Sequence, residues 1–475
     1  MHRFKTHLNP GRGRWEPPCN QELRLPSTPP IRPAYAQSFR CIGSACEDTC
    51  CQGWSVPVDQ ATYEKYRQLP PGPIASLINE NLQAMPEGAK PASFAIIQTN
   101  AANQCSLLTP DRLCRVQAAL GEGMLSHTCA TYPRIVTSIS GIEETALALS
   151  CPEAARLILL DPELLAHSQQ ASAEQPVLDD SSPGLLRWLL PIRAQAVALI
   201  RNRSYPLWQR LFLLSLLCQR LDSIVYGQLQ RTIPDFLADF ETAISTGALQ
   251  PAMETLPVDR AAQLDVVLRL AGMLLHRSNI SPRFVECIQE FTAGIGNGPE
   301  ASLESLTAHY SEAHDRYYTP FFDHQPHILE NYLANAIFRY RFPLGAEGGP
   351  PTSMVRECAL LTAQFALMKG LLIGVAGFHR EGFAARHVVH TVQAASKHFE
   401  HHPDFLNRAH VLLMESRMDG ARGMAILLRN ADPRAAHPAT AAVRAPRPQA
   451  GKNQPMPLPL TNPPAVKPDA LILGS

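Results

Sequence analysis

The chain has 475 residues, of which 45% are hydrophobic and 18% are charged, a composition typical of a globular protein with a large core. Its 42 basic residues balance its 42 acidic residues, so the formal net charge is zero. This balance excludes a general electrostatic affinity for nucleic acid or for an anionic membrane, and we expect no nucleic-acid partner.

Proline-rich segments form both ends of the chain. Residues 1–32 are rich in Pro and Arg and lack helical or strand periodicity, and residues 431–475 are rich in Pro and Ala and almost free of aromatic residues. Such segments cannot bury enough apolar surface to offset the entropy of ordering, so we expect a disordered leader and a disordered tail. The leader lacks the apolar run of a secretory signal, which favours a cytoplasmic protein.

Cysteines are concentrated between residues 41 and 151, where eight of the 12 lie. These eight are Cys41, Cys46, Cys50, Cys51, Cys105, Cys114, Cys129 and Cys151. The others are scattered singly and are expected to be buried as small hydrophobic residues: Cys19, Cys218, Cys287 and Cys358. In a reducing compartment, clustered thiols are more typical of metal sites than of disulfides. The sequence therefore predicts a cysteine-rich metal-binding domain over residues 33–160.

The stretch CIGSACEDTCCQGW, residues 41–54, has the spacing C-x4-C-x3-C-C. Thiolates are soft ligands that select zinc, Cu(I) or iron–sulfur clusters, and a zinc finger normally has a second short cysteine pair, which this chain lacks. Because Cys50 and Cys51 are adjacent, their side chains point in different directions, and an extended cluster or two sites accommodate both more readily than one ion. This favours a 4Fe–4S cluster, with zinc as the alternative.

Residues 161–430 are expected to form a large all-α body, so the fold class is mostly α. Apolar residues recur at three- and four-residue steps in five segments: 184–202, 205–228, 259–277, 327–342 and 354–378. Pro191 is expected to kink or split the first of these helices. The apolar run 359–378 carries Lys369 at its middle, so we expect a buried core helix and no membrane span.

Three other patterns are weaker. The radical S-adenosylmethionine signature C-x3-C-x2-C is not met, because Gly53 stands where its third cysteine would be. LGEGML at 120–125 has no preceding hydrophobic strand, which indicates a turn instead of a nucleotide loop. Histidines spaced three apart at 387 and 390, and at 398 and 401, form pairs that can bind metal on a helix, but no third ligand is evident and a solvated helix face is expected.

Four sequence blocks resemble the FliB-type flagellin lysine-N-methylase family, whose cysteine pattern is similar to that of small zinc- or iron-chelating bacterial proteins. The blocks are F-x-CIGSACEDTCCQGW-x-V-x-V-D-x-x-T-Y-x-x-Y at 39–66, C-x-L-L-x-x-D-R-L-C-x-V-Q-x-x-L-G at 105–121, C-x-x-Y-P-R at 129–134 and S-C-P-E-A-A-R at 150–156. Weaker similarity continues through ENYLANAIFRYRFP at 330–343 and SKHFEHH at 396–402.

The resemblance implies transfer of a methyl group from S-adenosylmethionine (SAM) to lysine ε-amines of flagellin, with a cysteine-bound 4Fe–4S cluster. All eight clustered cysteines are candidate ligands, with Cys41 and Cys151 the less favoured ones. The foremost candidates are Cys46, Cys50, Cys51, Cys105, Cys114 and Cys129.

The matched blocks contain a few residues that could act as the base for the substrate lysine or line its channel. The chief candidates are Asp59, Tyr63 and Tyr132, and Asp48 and Tyr66 are further ones. Their ordinary roles are those of a helix cap, a surface carboxylate or a packed ring. Trp54 is a candidate to shelter a sulfonium by a cation–π contact or, more simply, a structural residue. Two other functions stay open: a non-catalytic zinc- or iron-binding module that recognises a partner protein, and a thiol redox or metal-handling protein. The sequence does not predict the oligomeric state.

Overall fold

The computed structural model describes residues 33–430, apart from residues 55, 87, 140–141, 165–187, 228–231, 277–279, 346–352 and 403. The predicted leader (1–32), the predicted tail (431–475) and Cys19 lie outside the described residues. The described chain is mostly α-helical, as the sequence predicts.

The cysteine-rich part combines short helices with two small antiparallel sheets. Its helices are Ala34–Ser38, Gln60–Arg67, Pro73–Asn81, Arg115–Leu120, His127–Thr131 and Pro152–Leu159, with 3₁₀ turns at Gly43–Ala45, Pro91–Ser93 and Glu122–Met124. Strands β1 (Val56–Val58), β2 (Leu82–Ala84) and β3 (Ala95–Ile97) pair in the order β1-β3-β2, and β4 (Arg134–Ile139) pairs with β5 (Ile142–Leu147). In β1 and β3 only the outer residues of each strand are buried, because alternate side chains face the core.

The rest of the described chain is a helical body that contains each of the five predicted helices. Its helices are Leu189–Arg201, Leu207–Val225, Ile233–Ser245, Gln250–Glu254, Arg260–Leu275, Pro282–Gly294, Leu303–Ala313, Thr319–His324, His327–Arg339, Met354–His379, Ala385–Phe399, Phe405–Glu415 and Ala421–Leu428, with a π-helical segment at His314–Tyr318. The described part of the first predicted helix begins at Leu189, so Pro191 lies in its first turn, where its missing N–H breaks no intrahelical bond, and residues 184–187 lie outside the described residues.

Met354–His379, hereafter the core helix, is the helix around which the body is built. It is the one described helix long and apolar enough to cross a membrane, and its most apolar window is entirely buried inside the protein. It packs most extensively against Pro282–Gly294. A Cβ added at Gly374 would lie 2.4 Å from a ring carbon of Phe291, so glycine is what allows the two helices to approach. The core helix is apolar on all sides, which is typical of a buried helix.

The N-terminus of the core helix is capped by Asp222, which belongs to another helix. The Asp222 carboxylate accepts hydrogen bonds from the Ser353 hydroxyl at 2.6 Å and from the N–H groups of Met354 and Val355 at 2.9 and 3.1 Å. These N–H groups have no partner within the helix, and the carboxylate also complements the positive end of the helix dipole.

The cysteine-rich part contributes to two hydrophobic cores, a smaller one of its own and a larger one that it shares with the helical body. The smaller core is formed by apolar side chains between Val56 and Val116. The larger core holds the helical body together and also includes Tyr35, Phe39 and the buried face of Pro152–Leu159. The segments that flank the small sheets therefore belong to the helical body, and this arrangement fixes the cysteine loops against it.

Candidate functional site

The first cysteine loop, residues 41–54, has little regular structure and is fastened to the loop that carries Cys105. The N–H of Cys105 donates to the Cys51 carbonyl at 2.7 Å, and the N–H of Gly53 donates to the Asn103 carbonyl at 3.0 Å. Gly53 has a φ of +91°, a conformation that favours glycine and that turns the chain directly after the paired cysteines. These bonds bring together thiols that are distant in sequence.

Cys51 lies at the centre of the first thiol group. Its sulfur is hydrogen-bonded to the thiols of Cys105 and Cys50. Cys114 and Cys129 lie within electrostatic range of it. The members come from separate segments of the chain, so the tertiary fold and not the local spacing assembles this group.

Cys41, Cys46 and Cys151 form a second thiol group, in which both Cys41 and Cys46 lie within electrostatic range of Cys151. Cys50 is also within range of Cys151, so the two groups are neighbours. Cys46, expected among the foremost ligands, therefore lies with the two cysteines that were expected to be less favoured.

The thiols of the first group differ in acidity. Hydrogen bonds from the thiols of Cys105 and Cys50 lower the pKa of Cys51, and the nearby Lys397 ammonium acts in the same direction. The same hydrogen bonds, together with burial, raise the pKa of Cys50 and that of Cys105. Burial raises the pKa of Cys129 to about 11. Because metals bind thiolates, loading this group with metal would release protons.

The potential metal donors at this site are thiols, and an iron–sulfur cluster is one group that takes thiolate ligands. Among the described residues, no three His, Cys, Asp or Glu side chains converge closely enough to hold one metal ion. Every described cysteine is a free thiol. A cluster takes thiolate ligands, usually from cysteine alone, and spreads them over a larger volume than one ion does. The group around Cys51 supplies such donors.

The helix Ala385–Phe399, hereafter the interface helix, binds the first cysteine loop through polar side chains. Lys397 donates to the Asp48 carboxylate at 2.7 Å and to the Thr49 carbonyl at 3.3 Å. Gln393 donates to the same carboxylate at 2.7 Å and to the Ser150 carbonyl at 2.9 Å. The Asp48 and Lys397 side chains are only 8% and 9% exposed, so this ion pair is buried.

A second polar cluster lies just beyond the C-terminal end of the interface helix. Glu400 accepts a hydrogen bond from the Leu149 N–H at 3.3 Å. The Ser150 hydroxyl lies 3.2 Å from His401 Nε2 and 3.1 Å from the Tyr132 hydroxyl. This cluster therefore joins the C-terminal part of the chain to the cysteine-rich part.

Trp54 connects this polar cluster to the thiols. Its ring stacks on His401, with 5.4 Å between ring centroids and an interplanar angle of 13°, and lies 6.3 Å from the Tyr132 ring. Its indole N–H donates to the Cys50 carbonyl at 2.6 Å. The partly buried Trp54 is thus shared by the thiol group and the polar cluster.

Asp59 has the role of a helix cap. Its carboxylate accepts hydrogen bonds from the N–H and hydroxyl of Thr62, both at 2.9 Å, and from the His127 N–H at 2.8 Å. Burial alone would raise the pKa of Asp59, but these bonds from His127 and Thr62 lower it. A carboxylate with three donors and a lowered pKa is poorly suited to accept a proton.

The tyrosine candidates differ in position. The Tyr63 ring packs on Phe94 with 5.1 Å between centroids, and buried Tyr66 donates to the Met124 carbonyl at 2.8 Å. Both belong to the small core. Of the three catalytic candidates named from the sequence, Tyr132 is the one that lies in the cluster beside the thiols, and burial raises the pKa of its hydroxyl.

The expectation of a solvated histidine face is wrong. His398 is 3% exposed, and its Nε2 lies 3.2 Å from the Ser281 N–H nitrogen, while its ring stacks on Phe284. His401 stacks on Trp54, and His387 stacks on His379 with 3.7 Å between centroids. The cause is tertiary: the interface helix is packed on several sides, so its histidines face other elements.

Residues of the interface helix and its C-terminal end were not found by reading the sequence for motifs. Gln393, Lys397 and Glu400 are single polar residues with no characteristic spacing. The only signal was the weak family similarity of SKHFEHH at 396–402, which gave no role to any residue. Elsewhere, Cys218, Cys287 and Cys358 are buried in the helical body, as predicted.

The chain is similar to known lysine N-methylases and to a flagellar protein. The family model of the FliB lysine N-methylase C-terminal domain matches residues 193–427, which include the interface helix. The chain is 25% identical over 364 residues to the lysine-N-methylases of Salmonella typhimurium and Salmonella choleraesuis, which covers 74% of this chain and 86% of each relative. It is 36% identical over 140 residues to the flagellar biosynthetic protein FliU of Salmonella muenchen, which covers 30% of this chain and 82% of that protein. No solved structure matches.

Proposed function

The chain belongs to the FliB-type lysine N-methylase family and is a protein-lysine methyltransferase, and from this premise we propose that it transfers methyl groups from SAM to lysine ε-amines of flagellin in the cytoplasm. The relatives' names support the reaction, and the flagellar name of one relative supports the substrate. The methyl donor, the cluster and flagellin itself are parts of the proposal.

One observation carries the proposal beyond family membership. The helix that binds the first cysteine loop, through Gln393 and Lys397, lies within the part of the chain that matches the methylase domain. Both contacts are made by buried side chains on Asp48, between Cys46 and Cys50. These contacts support the proposal that the thiols and the methylase domain act as one site in methyl transfer.

The cofactor that we propose is a 4Fe–4S cluster held by cysteines of the first thiol group: Cys50, Cys51, Cys105, Cys114 and Cys129. When bound, a cluster with one iron free of cysteine would supply a Lewis acid for the amino and carboxylate groups of SAM. The chain's own residues fix the loop that carries these ligands, through the Asp48–Lys397 pair and the backbone bonds of Cys105.

The reaction is a displacement at a methyl carbon. The lone pair of the neutral lysine amine attacks the carbon, the bond from that carbon to sulfur breaks, and S-adenosylhomocysteine leaves as an uncharged thioether. The methylated amine then loses or keeps a proton according to the pH. Because free lysine has a pKa of about 10.4, a site at neutral pH must remove a proton from the ammonium before attack.

The test is methyl transfer with purified components. Protein prepared without oxygen is incubated with methyl-labelled SAM and purified flagellin, and label is located by peptide mass spectrometry. We expect label on flagellin lysines, and loss of at least about 100-fold in rate for Cys51→Ser. Cys287→Ser is the matched control, because Cys287 is buried in the helical body and belongs to neither thiol group. Absence of lysine label from native protein with bound iron would contradict the proposed reaction.

A further inference from the structure

Glu400 is a carboxylate with one oxygen that the fold leaves without a partner. Its Oε1 accepts the Leu149 N–H at 3.3 Å, and, against the larger effect of burial, hydrogen bonding from Ser150 also acts to lower the pKa of the carboxyl. Its Oε2 is shielded from solvent and has no hydrogen-bond partner among the described residues. A buried carboxylate oxygen without a donor is costly, because the charge loses its hydration and gains nothing in return. Such an atom is expected where a ligand supplies the missing donor.

No cation of the protein is positioned to neutralise Glu400 by direct contact in the described chain. Lys397, one turn before it, is committed to Asp48 at 2.7 Å. Arg339 acts on Glu400 only through its electric field, and its guanidinium stacks over the Tyr340 ring at 5.2 Å. Burial accordingly raises the pKa of the Glu400 carboxyl.

Two aromatic residues, Trp54 and Tyr132, contact the residues next to Glu400 in this cluster. Trp54 stacks on His401, the residue after Glu400, and lies beside Tyr132, whose hydroxyl is 3.1 Å from Ser150 Oγ. An acidic group near Trp and Tyr rings is a combination that binds alkylammonium ions, because ring quadrupoles and the carboxylate both attract a cation. Trp54 and His401 are both partly exposed, so a ligand would reach the cluster from solvent past these two side chains.

We propose that Glu400 binds the ε-ammonium of the substrate lysine, with Trp54 and Tyr132 as the walls around its methylene chain. This assignment rests on the proposed function and adds the site of the methyl acceptor to it. Since Oε2 is shielded from solvent, the lysine displaces the Trp54–His401 stack on entry. The ammonium proton passes to the carboxylate, which leaves a neutral amine and a protonated Glu400.

The position of this site agrees with the needs of methyl transfer. The acceptor nitrogen and the methyl carbon must come within about 3.5 Å of each other for attack. Trp54 donates to the Cys50 carbonyl at 2.6 Å, and Tyr132 lies within electrostatic range of Cys50 and Cys151. These contacts put the polar cluster next to the loop that carries Cys50, one of the thiols that we propose to hold the cofactor.

The binding test uses n-butylammonium as a probe for the lysine side chain and n-butanol as its neutral counterpart, on the full-length protein. Affinity is measured by calorimetry for native protein, Glu400→Gln and Glu304→Gln, the last being an exposed glutamate of the helical body. We expect native protein and Glu304→Gln to prefer the ammonium by at least about tenfold and Glu400→Gln to lose that preference. Equal preference in native protein and Glu400→Gln would overturn the proposal.

Kinetics on flagellin separate this proposal from the proposed function. If native protein methylates flagellin, Glu400→Gln should lower kcat/KM by about 100-fold or more while SAM binding is unchanged. Methylation by Glu400→Gln at the native rate would refute the role of Glu400 and leave the reaction intact. Ammonium binding that depends on Glu400 in a protein without methylase activity would refute the reaction and keep the cation site. Should Glu400→Gln not fold, Trp54→Leu takes its place, with at least about fivefold weaker n-butylammonium binding expected and unchanged binding contradicting the site.

Discussion

Replacement of Lys397 by Met removes a buried ion pair between the interface helix and the first cysteine loop. Lys397 donates to Asp48 at 2.7 Å and to the Thr49 carbonyl at 3.3 Å. Methionine keeps the length and most of the apolar packing of the lysine stem and removes only the ammonium. The variant therefore tests what this ion pair does for the loop.

The expected cost follows from burial. With both side chains less than one-tenth exposed, loss of the ammonium leaves the Asp48 carboxylate with one side-chain donor among the described residues, Gln393 at 2.7 Å. Breaking a buried pair from one side costs about 3–5 kcal/mol. Because Gln393 remains, we expect about 3 kcal/mol. Asp48→Asn combined with Lys397→Met removes the orphaned charge and should recover about 2 kcal/mol of that loss.

The assay is urea unfolding followed by circular dichroism, together with the rate at which thiols react with a disulfide reagent in the native protein. Lys397→Met should lower the free energy of unfolding and speed labelling of Cys51, because its loop is released from the interface helix. Arg386→Met, at an exposed position of the same helix, should change the free energy by less than about 0.5 kcal/mol. A loss below about 1 kcal/mol for Lys397→Met, with native labelling rates, would refute the reasoning.

Three further variants test the helical body. Gly374→Ala places a Cβ 2.4 Å from Phe291, so it should lower the unfolding free energy by about 3 kcal/mol or more, whereas Gly298→Ala, with open space around it, should be neutral; equal urea midpoints would contradict this. Glu330→Gln removes the carboxylate that accepts a hydrogen bond from buried Arg210 at 2.6 Å, so it should lower the unfolding free energy by about 3 kcal/mol in urea unfolding. Loss of Arg203, the half-exposed second partner of Glu330, should lower it by less than about 1 kcal/mol. Similar losses for the two variants would contradict this prediction. Burial lowers the pKa of Lys369 from 10.5 to about 7, so between these pH values the unfolded chain binds more protons than the folded chain. The unfolding free energy should therefore rise by about 2 kcal/mol from pH 7 to pH 9, and Lys369→Met should abolish that rise in urea unfolding. The same pH dependence in the variant would contradict this prediction.

The helical body was the most predictable part of the molecule. The periodicity of 327–342 and 354–378 is borne out by the helices His327–Arg339 and Met354–His379. These segments are long enough for a helical spacing of apolar residues to be recognised over several turns. The strands were not predicted, because β1, β2 and β3 are only three residues long and depend on tertiary pairing.

The candidate site was predictable only in its chemistry. Clustered cysteines indicate a thiol site from composition alone, but their grouping depends on tertiary contacts such as the one between Cys51 and Cys105. Gln393 and Lys397 lie more than 340 residues from Asp48, and nothing in the local sequence marks them as its partners. Glu400 stands out only because its Oε2 lacks a partner in three dimensions. Long-range polar contacts of this kind have no sequence period.

The account depends most on inorganic iron at the thiols around Cys51. The most direct measurement is the content of iron and acid-labile sulfide in protein purified without oxygen, beside a variant with Cys50→Ser and Cys51→Ser. The account predicts about four irons and four sulfides per native chain, brown colour with absorbance near about 400 nm, and loss of both elements in the variant. Native protein that contains neither iron nor sulfide, or a single zinc ion in their place, would contradict it.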